Sequence, residues 1–222
     1  MLCSLLFLCL LCLQDKIDYI YNVRMSIHTN DSFTMEGYLE LFLGPMFSGK
    51  TTQLIQIYNT YTYIGKKVFT INFIADVRYH DELLSSHDKI MIPCVFAQTI
   101  SDIWKTPENP HYKNIREADV ILINEGQFFG DLFHTVLEMV ENENKKVYIC
   151  GLDGDFKRAK FGQILDLIPY CDKVTKLQSL CSICKNGTKG IFSHRVSQEI
   201  SQVVIGSDNY KPLCRACYLS NN

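Results

Sequence analysis

Residues Gly44-Pro45-Met46-Phe47-Ser48-Gly49-Lys50-Thr51 fit the pattern G-x-x-x-x-G-K-[ST] of a phosphate-binding loop. Gly44 and Gly49 let the backbone curl so that successive N–H groups point inward at a phosphate. The helix expected to open at Lys50 adds its unsatisfied N–H groups and the positive end of its dipole. Lys50 brings a point charge to the β- and γ-phosphates, and the Thr51 hydroxyl is a ligand for Mg²⁺. Such a loop implies a nucleoside triphosphate and says little about its use. A second group narrows the chemistry. The run Ile121-Leu122-Ile123-Asn124 reads as a buried strand, and Glu125 follows it at once. In a parallel sheet, ligands sit at the carboxyl ends of strands. A carboxylate there can hold metal-bound water or take a proton from an acceptor hydroxyl. Asp76-Val77-Arg78 follows another strand, so Arg78 either neutralises a phosphoryl group in transfer or pairs with Asp76 at the surface.

Two cysteine pairs carry a different chemistry. Cys181-Ser-Ile-Cys184 and Cys214-Arg-Ala-Cys217 each place two thiolates on one tight turn, and 29 residues, Lys185 to Leu213, lie between them. Two such turns complete a tetrahedron around zinc, a structural site with no open position. Two disulfides in a secreted protein, or a redox dithiol, are the alternatives. The long gap implies an excursion that leaves one knuckle and returns to the other. Cys94, Cys150 and Cys171 stand alone in apolar surroundings and read as small buried hydrophobes.

These groups need elements to position them. Tyr38–Leu43 reads as a strand, 44–49 as a loop, and 51–64 as a helix with Leu54, Ile57, Tyr58 and Tyr61 on one face, stopped by Gly65. Residues 67–73, 119–124 and 146–151 are strands, 131–142 is a helix, and one short strand is expected within 91–96, then a helical turn into Trp104. Strands separated by helices predict an α/β, RecA-like parallel sheet flanked by helices. From Lys173 the pattern breaks into short pieces around the knuckles. The expected organisation is an N-terminal extension (1–36), a nucleotide-binding domain (37–172) and a small zinc-binding domain (173–222).

Composition bounds the rest. The chain has 222 residues, 21% charged and 47% hydrophobic, with a net charge of −2. That excludes a disordered, highly charged protein and gives no global electrostatic case for coating nucleic acid or a membrane surface. No apolar run of 18 residues predicts a membrane span. Residues 1–13 are almost wholly apolar, yet too short to cross a bilayer and without a clear basic region or cleavage site. They read equally as a dispensable extension or as a targeting or docking segment.

Taken together, Gly44–Thr51, Asp76-Val-Arg78, Glu125-Gly-Gln-Phe-Phe129, Gly151-Leu-Asp-Gly-Asp-Phe-Lys-Arg158 with Phe161-Gly162, the knuckles, and Val204-Ile-Gly206 followed by Tyr210 resemble the thymidine kinase family of the cytosolic and poxvirus type. The match runs from about Glu36 to Tyr218. The resemblance implies transfer of a phosphoryl group from MgATP to the 5′-hydroxyl of thymidine or deoxyuridine. By it, Glu125 is the general base, Arg78 and Lys50 balance charge, and Thr51 holds Mg²⁺. It gives the loop residues, Asp76, Arg78, Asn124 and Gln127 to the nucleotide. Met46, Phe128, Leu152, Phe156 and Phe161 wall the pyrimidine pocket. The excursion between knuckles becomes a lasso, with Gln202, Val203, Val204, Ile205 and Gly206 reading the base edge and Tyr210 touching the substrate. It further implies a cytoplasmic homotetramer inhibited by dTTP, with no nucleic acid or membrane partner. Two departures stand out. The family usually has Asp where this chain has Asn124, so weaker Mg²⁺ binding or a lower rate is expected. The segment from Gly206 to Tyr210 is one residue shorter than usual.

Two rivals compete. One is a P-loop ATPase whose zinc ribbon grips nucleic acid, with Lys185, Lys189, His194 and Arg195 offering sparse positive charge. The other is a catalytically weak binding protein, suggested by Asn124.

Overall fold

Strands β1 (Tyr38–Leu43), β2 (Val68–Phe73), β6 (Val120–Ile123) and β7 (Lys146–Gly151) are apolar at nearly every position. A strand presents successive side chains to opposite faces, so such a run demands cover on both. The computed structural model, which describes residues 36–74, 83–85, 90–204 and 209–221, shows that arrangement. Leu39, Leu41, Leu43, Ile71, Ile121, Ile123, Val147 and Ile149 face one core with Trp104, Ile115, Leu132, Val136, Met139 and Ile164. Phe42, Val120, Leu122, Tyr148 and Cys150 face the other, against Leu54 and Ile55 of the helix Lys50–Tyr63. Each such buried side chain contributes about 1.5–3 kcal/mol.

The sheet has six parallel strands in the order β5-β2-β6-β7-β1-β8, where β5 is Val95–Ala97 and β8 is Lys173–Lys176. Thus the carboxyl ends of β1, β2, β6 and β7 share one edge. The helix beginning at Lys50 ends as expected: Gly65 turns left-handed at φ 76°, and the Gly65 and Lys66 N–H groups close on the Thr62 and Tyr61 carbonyls.

Three elements differ from the sequence reading. The single strand expected within 91–96 divides at Cys94. Met91–Pro93 (β4) pairs antiparallel with Leu83–Ser85 (β3), while β5 joins the main sheet. Pro93 has no N–H with which to continue a ladder. The helix expected over 131–142 is α-helical at Leu132–Leu137 and widens to a π turn at Glu138–Asn142, seating both Met139 and Val140 in the core. The boundary at 173 falls ahead of β8, which pairs with β1 from Glu40↔Lys173 to Leu43↔Lys176. Buried Glu40 ties that edge, accepting from the Lys173 ammonium (2.8 Å) and the Thr175 hydroxyl (3.1 Å).

Beyond β8, two antiparallel pairs follow: β9 (Ser179–Leu180) with β10 (Lys189–Gly190), and β11 (Phe192–Arg195) with β12 (Tyr210–Leu213). A helix, Arg215–Ser220, closes the chain over a small core of Cys181, Leu213, Cys214 and Tyr218. Gly37–Asn222 is one compact unit. The N-terminal run lies outside the described residues. Among the described residues no helix is long and apolar enough to cross a membrane.

Candidate active site

The loop after β1 is tightly wound. A Cβ on Gly44 would lie 2.6 Å from the Leu177 carbonyl oxygen, so only glycine fits. Phe47 (φ 61°) and Gly49 (φ 81°) are left-handed, and this curls the chain into the helix. Lys50 is buried, with Nζ donating to the Pro45 carbonyl at 2.8 Å. The Ser48 hydroxyl is buried without a partner, an orphaned polar atom of the kind a phosphate oxygen would satisfy. Thr51 Oγ1 lies 3.5 Å from Asn124 Oδ1 at the tip of β6.

Glu125 follows with φ 55° and ψ 41°, a left-handed conformation costing about 1–3 kcal/mol in a residue with a Cβ. Its surroundings hold it there. The Phe128 N–H closes on the Glu125 carbonyl (3.0 Å), and Gln127 Nε2 donates to the carboxylate at 2.6 Å. Gln127 Oε1 accepts the Leu152 N–H at 2.9 Å, which fixes the orientation of that amide. Gly162, at φ 60°, passes so close that a Cβ would meet the Gln127 carbonyl oxygen at 2.0 Å. The carboxylate is therefore aimed by the tips of β6 and β7 together.

One cavity opens at this edge. Met46, Phe47, Ser48, Gly49, Lys50, Thr51, Glu125, Gln127, Phe128, Leu152, Phe156, Phe161, Gln202, Val203, Val204 and Tyr210 all line it, as the sequence reading grouped them. Gly44, Pro45 and Asn124 do not line it and are buried. Asp76, Arg78, Ile205 and Gly206 fall outside the described residues. The aromatic walls interlock: Phe128 stacks on Phe73 (centroids 5.1 Å apart) and meets Phe161 edge-on (5.3 Å).

The structure adds Asn72, Phe73, Asp155 and Ser193 to the lining, and places Arg195 just behind it. Arg195 is the most consequential omission from the sequence reading, which counted it as surface charge. It is 5% exposed and lies 3.8 Å over the Phe156 ring. It donates to the Glu199, Ser201 and Gln202 carbonyls and the Tyr210 hydroxyl. A signal existed in the alternation of β11, whose Ser193 and Arg195 point inward while Phe192 and His194 are half-exposed.

Further bonds carry the segment between the knuckles onto the cavity. Ser193 Oγ accepts the Met46 N–H (3.0 Å), and Gln202 Nε2 donates to Asp155 (2.9 Å). Just beyond the second knuckle, the Tyr218 hydroxyl donates to the Phe156 carbonyl (2.6 Å).

The four knuckle sulfurs lie within 4.8 Å of one another, and all four cysteines are free. A tetrahedron with Zn–S bonds of about 2.3 Å has edges of about 3.8 Å. Cys184 Sγ is 3.8 Å from Cys214 Sγ and 3.5 Å from Cys217 Sγ. Burial opposes ionisation of the Cys181 thiol, but the backbone N–H groups of Cys184, Cys214 and Ile183 outweigh it and hold it near 6. Hydrogen bonding to Cys184 and Cys214 pushes Cys217 up to about 12. Such a cluster ionises fully only around a cation, and a soft thiolate set fits zinc. Of the isolated cysteines, Cys150 is buried, while Cys94 and Cys171 are half-buried.

A parallel sheet that feeds a glycine-rich cradle, with a carboxylate at a neighbouring strand tip, defines a P-loop nucleotide-binding protein. Within that class, the family model for thymidine kinase matches residues 37–218. Thymidine kinase a of Arabidopsis thaliana is 36% identical over 187 residues, covering 84% of this chain and 76% of that one. The thymidine kinase of rabbit fibroma virus (strain Kasza) is 37% identical over 184 residues, 82% and 96%. That of vaccinia virus (strain Western Reserve) is 36% identical over 186 residues, 83% and 98%. The chain belongs to the thymidine kinase family.

Proposed function

We propose that this chain transfers the γ-phosphoryl group of ATP to the 5′-hydroxyl of thymidine or deoxyuridine, making the monophosphate for DNA-precursor salvage. One observation carries the reading: a single cavity joins the phosphate loop, the Glu125 carboxylate and aromatic walls to the backbone of the excursion between the knuckles. Glu125 takes the proton of the 5′-hydroxyl as its oxygen bonds to the γ-phosphorus. The bond to the bridging oxygen breaks, and its electron pair leaves with ADP. Lys50 and Arg78 balance charge on the phosphoryl group, while Asp76 and the loop residues Gly44–Thr51 hold the nucleotide. Thr51, backed by Asn124, would hold Mg²⁺, which when bound would neutralise charge on the phosphates. Gln127 keeps Glu125 aimed. Met46, Leu152, Phe128, Phe156 and Phe161 enclose the flat base. The lasso backbone from Gln202 to Gly206, with Tyr210, reads its edge and excludes water that would otherwise capture the phosphoryl group. Cys181, Cys184, Cys214 and Cys217 would hold zinc, which would pin both ends of the lasso. We further propose a cytoplasmic homotetramer under feedback inhibition by dTTP.

A coupled ATP assay with thymidine, deoxycytidine or single-stranded DNA tests this reading. Thymidine-dependent ADP release supports it. DNA-stimulated release without thymidine turnover, or nucleotide binding with no turnover, overturns it.

Arg195 gives a sharper test. Charge-assisted hydrogen bonds are each worth about 1.5–3 kcal/mol, and Arg195→Met removes several that shape the lasso. The KM for thymidine is expected to rise by about tenfold or more, with the KM for ATP changed far less. Lysine cannot span the same fork of acceptors, so Arg195→Lys should rescue little. Steady-state kinetics with each substrate varied separates these outcomes.

A further inference from the structure

Asn124 stands at the tip of β6 beside Thr51, where a P-loop enzyme normally places a carboxylate for its metal. Its neighbours decide which end of the amide faces the loop. Asn72 Oδ1 accepts the Phe73 backbone N–H (3.0 Å) and the Asn124 side-chain N–H (2.8 Å). A carbonyl oxygen has two lone pairs, so these donors fill it. The Phe73 N–H belongs to the main chain and cannot turn away. It therefore fixes the Asn72 oxygen toward Asn124, and that oxygen demands the nitrogen of the Asn124 amide. Asn124 Oδ1 is left facing the opposite way, 3.5 Å from Thr51 Oγ1 and 2.8 Å from Cys150 Sγ. The two asparagines are 2% and 1% exposed, so water is no ready substitute for either bond.

We propose that Asn72 is a positioning residue for the metal of the bound nucleotide: it locks the Asn124 amide with its carbonyl oxygen toward Thr51. The proposal rests on the MgATP reading above. Asn124 Oδ1 accepts from the Thr51 hydroxyl and the Cys150 thiol, so the Thr51 oxygen keeps its lone pairs for Mg²⁺, which takes its other ligands from water and phosphate. A reversed amide would turn an N–H group onto Thr51 Oγ1 and take up a lone pair that the metal needs. The lock also makes the neutral side chain self-consistent. An aspartate at 124 would set a carboxylate oxygen against Asn72 Oδ1, already committed to Phe73.

The test uses the full chain and a non-hydrolysable ATP analogue, with binding followed calorimetrically across a Mg²⁺ titration and in EDTA. In Asn72→Leu, the Mg²⁺ concentration for half-maximal tightening is expected to rise by about tenfold, the usual size for losing an outer-shell partner. Binding in EDTA should weaken several-fold less than binding with Mg²⁺, because the lock acts through the metal. Asn72→Asp keeps an acceptor for both donors and should restore the wild-type Mg²⁺ requirement to within about threefold. Asn72→Thr, milder in volume but too short to reach, should behave as the leucine variant and serves if that one does not fold. An unchanged Mg²⁺ requirement in the leucine or threonine variant overturns the proposal. So does equal weakening with and without Mg²⁺, which would mark a purely structural residue. Wild-type binding indifferent to Mg²⁺ would instead bring down the MgATP reading, and this proposal with it.

Discussion

Replacing Glu125 by glutamine is expected to lower kcat by at least about 10²-fold, with little change in the binding of an ATP analogue. Glutamine keeps the volume and can still accept from Gln127 Nε2, which lies 2.6 Å from the carboxylate. What it loses is the ability to take a proton. The left-handed backbone at φ 55° and the amide bridge through Gln127 to the Leu152 N–H should survive, because neither depends on charge at Glu125. The variant thus separates proton acceptance from folding and nucleotide affinity. Single-turnover kinetics with thymidine, alongside analogue titration, measures both. Activity within about threefold of wild type would place the base elsewhere, since general bases typically contribute 10²–10⁴-fold.

The second large effect is expected at the zinc cluster. Wild-type protein should contain about one zinc per chain by metal analysis, and Cys214→Ser should contain almost none. Cys214 is buried and also caps the last helix, its sulfur accepting the Cys217 N–H at 3.5 Å. Structural zinc supplies about 10–16 kcal/mol of apparent binding energy in small folds, far more than the hydrogen bonds that seat the lasso. Without it, the ends of the excursion come apart. Ser193, Gln202 and Arg195 then lose their register on Met46, Asp155 and Phe156. Thymidine phosphorylation should fall by about 10²-fold or more, and the unfolding midpoint should drop with it. Chelation of the wild-type enzyme should reproduce both effects. Full activity in metal-free protein, or four thiols found paired as disulfides, would refute the assignment.

Much of the site was legible before any coordinates. A phosphate loop is a local object: eight consecutive residues carry their own turn geometry, and the strand before it and helix after it are read from periodicity. The same holds for Glu125, which follows a buried strand at once, and for each cysteine knuckle. Where the sequence reading faltered, the deciding interaction lay between distant segments. Pro93 ends one strand and lets the next join another sheet, a choice that depends on partners as much as on propensity. Lys173–Lys176 looks like the start of a small module until β1 is seen to accept it as a sixth strand.

The sequence by itself determined the groups available: a phosphate-binding loop, a carboxylate at a strand tip and a cluster of four cysteines. These follow from residue type and short spacing, which the covalent chain enforces. Only the tertiary structure decided how that chemistry is aimed. It set Asn72 against Asn124 across 52 positions and turned Arg195 from an apparent surface charge into a clasp on the segment between the knuckles. It also carried Ser193 across 147 positions onto the phosphate loop. Such contacts arise from strand order and register, which emerge only when both faces of the sheet are buried at once.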